Sequence, residues 1–217
     1  MLLRAALVFI AFALPTNGSS AQAIKIVDGD TLKIGDVSYR INGIDAPEAG
    51  QKCLTEHGKP WACGEAAMDH LEGFLNHGAL RCDPITKDSY GRTVATCFAG
   101  DTDMGKEMVR SGAAWAFVKY SMVYVAVEAE ARSAGRGIWK GSAQPAWEYR
   151  ADRWRVAEQK APDGCPIKGN ISKNGRIYHP PWSPWYNRTK VSPEKGERWF
   201  CNEAEAVAAG WRAPHWR

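Results

Sequence analysis

The chain has 217 residues, 45% of them apolar and 24% charged, with a formal net charge of +4. That length and composition suit one or two compact domains around a buried core and exclude an intrinsically disordered chain. The small basic excess favours a polyanionic partner without identifying one, because the position of charge matters more than its sum.

Residues 1–23 read as a secretory signal. Arg4 supplies the positive start, residues 5–14 are an apolar run, and Ser20-Ala21-Gln22-Ala23 offers small residues for cleavage. The run is shorter than the roughly 20 residues a membrane-crossing helix needs. The sequence therefore predicts a mature chain that starts near Ile24, carries no membrane anchor, and is periplasmic or secreted.

From residue 24 to about 99, short strands predominate: 24–27, 31–34 and 37–44, with Gly29, Gly35-Asp36 and Gly43 as punctuation. A hairpin of 80–85 and 93–99 follows, centred between Ser89 and Tyr90. Apolar residues at helical spacing mark 65–75 and 104–111, and 123–134 is rich in Ala and Glu with Gly135 as its stop. This order predicts an α+β unit with a small barrel, 24–139. Residues 140–163 are a linker whose 145–161 stretch reads as a helix bearing Trp147, Tyr149, Trp154, Arg150, Arg153 and Arg155. Its tryptophans are expected to pack on the barrel; the rival use is an added nucleic-acid contact. Residues 164–217 form a second unit, rich in tryptophan and too small for more than a marginal core unless a disulfide supports it.

Six cysteines behind a signal segment argue for disulfides in an oxidising compartment. Sequence alone does not fix the connectivity, but the hairpin puts Cys82 opposite Cys97 at a distance a disulfide can bridge. Cys53 with Cys63 would then close a loop, and Cys165 with Cys201 would staple the tail. The rival is zinc, held by Cys53, His57 and Cys63 or by Cys165, His179 and Cys201. Neither set has paired CxxC spacing or an evident fourth ligand.

Three phrases carry the chemistry: Val27-Asp28-Gly29-Asp30-Thr31, Arg40-Ile41-Asn42-Gly43-Ile44-Asp45-Ala46-Pro47-Glu48, and Asp88-Ser89-Tyr90-Gly91-Arg92. Carboxylate oxygens suit a hard cation, and arginine's planar fork bonds two phosphate oxygens at once. Arg40 and Asp45 are five residues apart, so strand alternation puts them on opposite faces unless Gly43 or the Asp-Ala-Pro turn bends the chain. Hydrolysis of a phosphodiester needs a water aligned with phosphorus, a group to orient or deprotonate it, and cations to offset the growing charge. Glu48 suits the water, Arg40 and Arg92 the phosphate, and Asp30 and Asp45 a cation. Any one phrase alone is commonly just a turn or a cap; their joint order and spacing carry the reading.

On these residues, and on the closing Gly137-Ile138-Trp139, the chain resembles the thermonuclease, or staphylococcal nuclease-like, family over about residues 24–139. The resemblance implies an OB-type five-stranded β-barrel with three helices. It implies Ca²⁺-dependent hydrolysis of DNA and RNA leaving 3'-phosphate ends, with Asp30, Asp45 and the Ala46 carbonyl on calcium, Glu48 as general base, and Arg40 and Arg92 on the phosphate. Ala46 stands where well-studied members have threonine, and Ser89 where some have lysine. Tyr90, Tyr120 and Phe117 are possible substitutes for the family's aromatic pair that stacks on the nucleotide. The expected partners are DNA and RNA, preferentially single-stranded, with the protein a monomer. The tail resembles a Cys-bounded module appended to some bacterial relatives, on Cys165 to Asn170, Tyr178-His179 and Gly196 to Cys201. Its Lys168, Lys173, Arg176, Arg188, Lys190 and Arg198, interleaved with Trp182, Trp185 and Tyr186, suit single strands or a wall polymer; the rival is a structural cap. Against the nuclease stands a silent OB-fold module that binds single-stranded nucleic acid or protein without chemistry.

Overall fold

The computed structural model describes residues 23–214; the predicted signal segment, apart from Ala23, lies outside them. The main sheet contains β1 (Ile24–Asp28), β2 (Thr31–Ile34) and β3 (Val37–Ile41) as an antiparallel meander. The long strand expected over 37–44 breaks at Asn42-Gly43, where Gly43 takes φ +75°, a left-handed conformation that glycine adopts without a Cβ penalty. The chain resumes as β4 (Ile44–Asp45). β5 (Cys53–Leu54) and β6 (Pro60–Trp61) form a two-stranded ribbon leading into α1 (Cys63–Gly73).

β7 (Leu80–Lys87) and β8 (Thr93–Ala99) form the hairpin, with Cys82 opposite Cys97. The register shifts between Pro84 and Thr86, because Pro84 has no N–H for the ladder and Ile85 is left out of the pairing. β8 pairs parallel to β3, Arg40 lying opposite Val94. β9 (Thr102–Asp103) adds to β8 and runs into α2 (Met104–Arg110), whose first turn is capped by the Asp103 carboxylate accepting from the Lys106 N–H at 3.0 Å. β10 (Trp115–Ala116) pairs with β4, and α3 (Val125–Ser133) follows.

The strand order β1-β2-β3-β8-β7 is an open path, and among the described residues its two edge strands do not pair with each other. The implied barrel is therefore seen as a mixed α+β sheet with three helices, not as a hydrogen-bonded ring. Its core is Leu32, Ile41, Ile44, Leu71, Met104, Met108 and Val109, all essentially without solvent exposure.

The predicted linker helix is α4 (Ala146–Glu158). One correction concerns its tryptophans: only Trp147 packs on the first unit, beside Trp115 and the buried Cys53, Cys63 and Ile138. Trp154 instead meets Trp182 and the second core, formed by Ile167, Tyr178, Phe200, Ala206 and Trp211. That core is covered by the sheet β12-β11-β13, with β11 (Ile167–Ser172), β12 (Gly175–His179) and β13 (Arg198–Phe200), and by α5 (Glu203–Ala208). Disulfides join Cys53 to Cys63, Cys82 to Cys97 and Cys165 to Cys201. No free cysteine remains among the described residues, which removes the zinc alternative.

Candidate active site

β3 sits at the centre of the site because its neighbours on both sides deliver functional groups to it. On one side Arg40 lies across from Thr31, which places its guanidinium beside Asp30. The Arg40 Nη1 to Asp30 Oδ2 distance is 2.8 Å. On the other side β8 begins directly after Arg92, whose Nε donates to Asp88 Oδ2 at 2.7 Å. Asp88 also accepts from the Tyr90 and Arg92 backbone N–H groups, an Asx-type turn that fixes the hairpin tip.

The bend at Gly43 brings Asp45 back to the same pocket, and Arg40 Nη2 meets Asp45 Oδ1 at 2.8 Å. One arginine thus joins two fully buried carboxylates. Asp30 also accepts from the Thr31 hydroxyl at 2.8 Å and from the Ala46 N–H at 3.4 Å. Gly29 makes this approach possible: a Cβ there would stand 2.7 Å from the Ala46 Cβ and 2.9 Å from that of Ala67. Glu48 is buried one turn further on. Its backbone N–H donates to the Gln51 side chain at 3.1 Å, and the Gln51 amide donates to the Gln144 carbonyl at 2.6 Å. Gly64 at the start of α1 packs on the Glu48 carbonyl, where a Cβ would come within 1.8 Å of the oxygen.

The residue that sequence reasoning missed is Arg150, on α4. Its Nη2 meets Asp45 Oδ2 at 2.8 Å, and its Nη1 meets Asp45 Oδ1 at 3.1 Å and Glu48 Oε1 at 2.6 Å. A faint signal was available. Arg150 lies three residues after Trp147 and four before Trp154, hence on the tryptophan-bearing face of the helix. A cation on a face that packs needs a carboxylate to meet it. The second unit contributes further groups: Glu203 accepts from the Tyr178 hydroxyl at 2.8 Å and lies within electrostatic reach of Arg92 and Arg150. Pro184 packs against Gly50, two residues after Glu48.

Electrostatics divides the acids. Burial pushes Asp30 up, but Arg40 and then Arg92 outweigh it and hold the carboxyl below its usual range. Glu48 is pushed above its usual range by burial, which Arg150 only partly offsets. Asp28 is raised strongly by burial and then by the neighbouring Glu48 and Asp30 charges, which adds a fourth carboxyl to the cluster. Of the aromatic candidates, Tyr90 packs against the Arg92 guanidinium, 5.2 Å from its ring centre. Tyr120 is 70% exposed and touches Phe117 and Lys119 rather than the carboxylates. The Phe117 face is taken by Trp147, stacked at 5.6 Å.

The donor chemistry at Asp30, Asp45 and Glu48, all hard oxygens, suits Ca²⁺. The arrangement does not: Arg40 and Arg150 hold these carboxylates, and among the described residues no three His, Cys, Asp or Glu side chains are grouped to hold a metal.

The family described as Staphylococcal nuclease homologue matches residues 38–141, and a second, described as ArfC, matches residues 140–213. A relative, the succinoglycan biosynthesis protein ExoI of Rhizobium meliloti (strain 1021), is 34% identical over 131 residues, covering 59% of this chain and 69% of its own. An uncharacterized endonuclease of Haemophilus influenzae is 30% identical over 128 residues, covering 56% of this chain and 66% of its own. A probable endonuclease, LCL3, of Paracoccidioides brasiliensis (strain Pb03) is 33% identical over 135 residues, but the match spans only 38% of it. The chain belongs to the staphylococcal nuclease homologue family. By that membership it is a hydrolase of the nuclease class, and its Arg150 comes from the segment matched by the second family.

Proposed function

We propose that this chain is a calcium-dependent, sugar-nonspecific nuclease that hydrolyses phosphodiester bonds in DNA and RNA, prefers single strands and leaves 3'-phosphate ends. The observation that carries this reading is Arg40, held at 2.8 Å from both Asp30 and Asp45 with Glu48 alongside, in a member of a nuclease family. The relatives named endonuclease support it. Asp30, Asp45 and the Ala46 carbonyl are the groups proposed for calcium.

In this reading Glu48 orients and deprotonates the attacking water. Its raised pKa makes it a stronger base than an ordinary carboxylate. Arg40 and Arg92 hold the non-bridging phosphate oxygens, where fixed guanidinium donors stabilise the charge that develops in the transition state. Tyr90, packed on Arg92, and Tyr120, exposed on the loop after β10, are proposed to contact the nucleotide.

The three disulfides support an extracytoplasmic location, periplasmic or secreted. Among the described residues no helix is long and apolar enough to cross a membrane. The chain is proposed to act as a monomer.

The test is cleavage of end-labelled, heat-denatured DNA by the disulfide-intact chain, with Ca²⁺ and then with a chelator. Calcium-dependent breakdown to short fragments is the expected result. DNA that is retarded but uncut in both conditions would replace the enzyme with a binding module.

A further inference from the structure

Resting on that reading, we propose that Arg150 is a built-in counter-cation of the nuclease site, standing where a divalent cation would bind, so that α4 docking and metal binding exclude one another. Asp45 shows why. Its Oδ1 already accepts from Arg40 and Arg150 and its Oδ2 from Arg150, which uses most of the acceptor sites a carboxylate has. Arg150 also holds Glu48 Oε1 at 2.6 Å. A cation cannot enter this ligand set while the guanidinium stays.

Charge balance leads to the same conclusion. With Arg150 docked, Asp30, Asp45 and Glu48 face two guanidinium groups. With Arg150 withdrawn, Arg40 is the one ion-pair partner left to them among the described residues, Arg92 acting on Asp30 without pairing to it, and the surplus of acid left behind is of the kind a divalent ion offsets. Leaving those acids buried without a cation is costly, so one occupant or the other must be present. Arg150 is placed to leave: its side chain is 23% exposed, while Asp45 beneath it is fully buried. It arrives from the segment matched by the second family, so the C-terminal unit sets how readily the first unit takes its metal.

Calcium titration by calorimetry of the full chain tests this, comparing wild type with Arg150→Gln. The expected result is Ca²⁺ affinity about ten-fold tighter in the variant, a gain of the size expected when a competing charge-assisted pair is removed. In wild type, saturating Ca²⁺ should also speed amide hydrogen exchange along 146–158; this second readout stands even if the variant folds poorly. Equal Ca²⁺ affinities, weaker binding by the variant, or unchanged exchange in wild type would each overturn the proposal. Failure of the nuclease reading itself would look different, with Ca²⁺ bound but no DNA cleaved by either protein.

A separate observation carries a second proposal. A groove of roughly 950 Å³ between β1 and the C-terminal unit is lined by five cations, Lys25, Arg188, Lys190, Lys195 and Arg212. None of them has a carboxylate partner in the ion pairs of the described residues, and the Arg212 guanidinium donates to the Asn174 and Ala213 carbonyls. The one carboxylate in the groove wall, Glu197, is buried and already accepts from Asn170 and from the Ile171 and Ser192 N–H groups. We infer that this groove takes the phosphate backbone of a single-stranded nucleic acid. Lys25 ties it to the active site: it lies on β1, three residues before Asp28, or about 10 Å along an extended strand.

Anisotropy of a labelled oligothymidylate in chelator tests it, with Arg188→Glu, Lys190→Glu and Lys195→Glu combined. Affinity should fall at least about ten-fold and the salt dependence should flatten by roughly two units of log–log slope. Hydrolysis of a small mononucleotide phosphodiester should not change. Unchanged oligonucleotide affinity, or tighter binding of a sulfated polysaccharide than of the oligonucleotide, would overturn the assignment. Binding retained by a chain that hydrolyses nothing would leave the groove intact and remove only the enzyme.

Discussion

The nuclease site and the basic groove handle charge in opposite ways. In the site three carboxylates are already engaged by arginines, Asp30 and Asp45 by Arg40 and Asp45 and Glu48 by Arg150. In the groove five cations enter none of the ion pairs of the described residues, and the carboxylate in its wall, Glu197, is already held by other donors. A paired site must release something before it binds, so its affinity is set by competition. An unpaired groove is ready for its ligand and is tuned chiefly by salt.

The strongest test of this contrast is Glu48→Gln. Turnover should fall about 100- to 10,000-fold, the usual loss when a general base is removed, while oligonucleotide affinity at the groove holds. Near-normal cleavage would remove Glu48 as the base. Next in size, Trp147→Ala should cost about 3 kcal/mol or more by emptying the pocket against Trp115 and the Cys53–Cys63 disulfide. Because Trp147 anchors α4 beside the site, its loss should also tighten Ca²⁺ binding. Trp154→Ala, at the other end of the helix, should destabilise the second unit by a similar amount without that gain. Calorimetric unfolding with and without Ca²⁺ separates the two.

Replacing Cys165 and Cys201 together by serine should cost about 2–4 kcal/mol in the C-terminal unit. Groove affinity should drop with it, and hydrolysis of a small diester should persist. The smallest effect is acid sensitivity of the same unit. Burial, then the charge of Lys168, lowers His179 to about 4. The unfolded chain takes that proton first, near pH 6.5, so stability is full above that value and is lost as pH falls toward 4. Chemical denaturation at pH 7 and pH 5 should show a loss of about 1 kcal/mol that His179→Gln abolishes. An equal loss in the variant would place the sensitivity elsewhere.

Local features were the legible ones. The pairing of Cys82 with Cys97 follows from a hairpin read a few residues either side of its turn, and Gly43 announced the bend that returns Asp45 to Arg40. The bulge at Ile85 was missed because it depends on one residue's fit to a neighbouring strand. Arg150 was out of reach for a different reason. It meets Asp45 across 105 residues of sequence, and alternation or helical spacing reports which face a side chain takes, not what waits opposite. Closure of the sheet was beyond reach for the same reason, since it depends on how distant strand edges meet.

The Gln51 bridge from Glu48 to Gln144 bears on how such proteins are recombined in evolution. The two matched families meet at residues 140 and 141, yet Leu54 and Ser142 exchange backbone hydrogen bonds and the Gln144 carbonyl holds Gln51, which in turn holds the loop that carries Glu48. A gene fusion that swapped tails at the family boundary would carry away part of the support of the Glu48 loop. The exchangeable joint lies further on, past Trp147, and a lineage that changes its tail must either keep 142–147 or rewrite Gln51 with it.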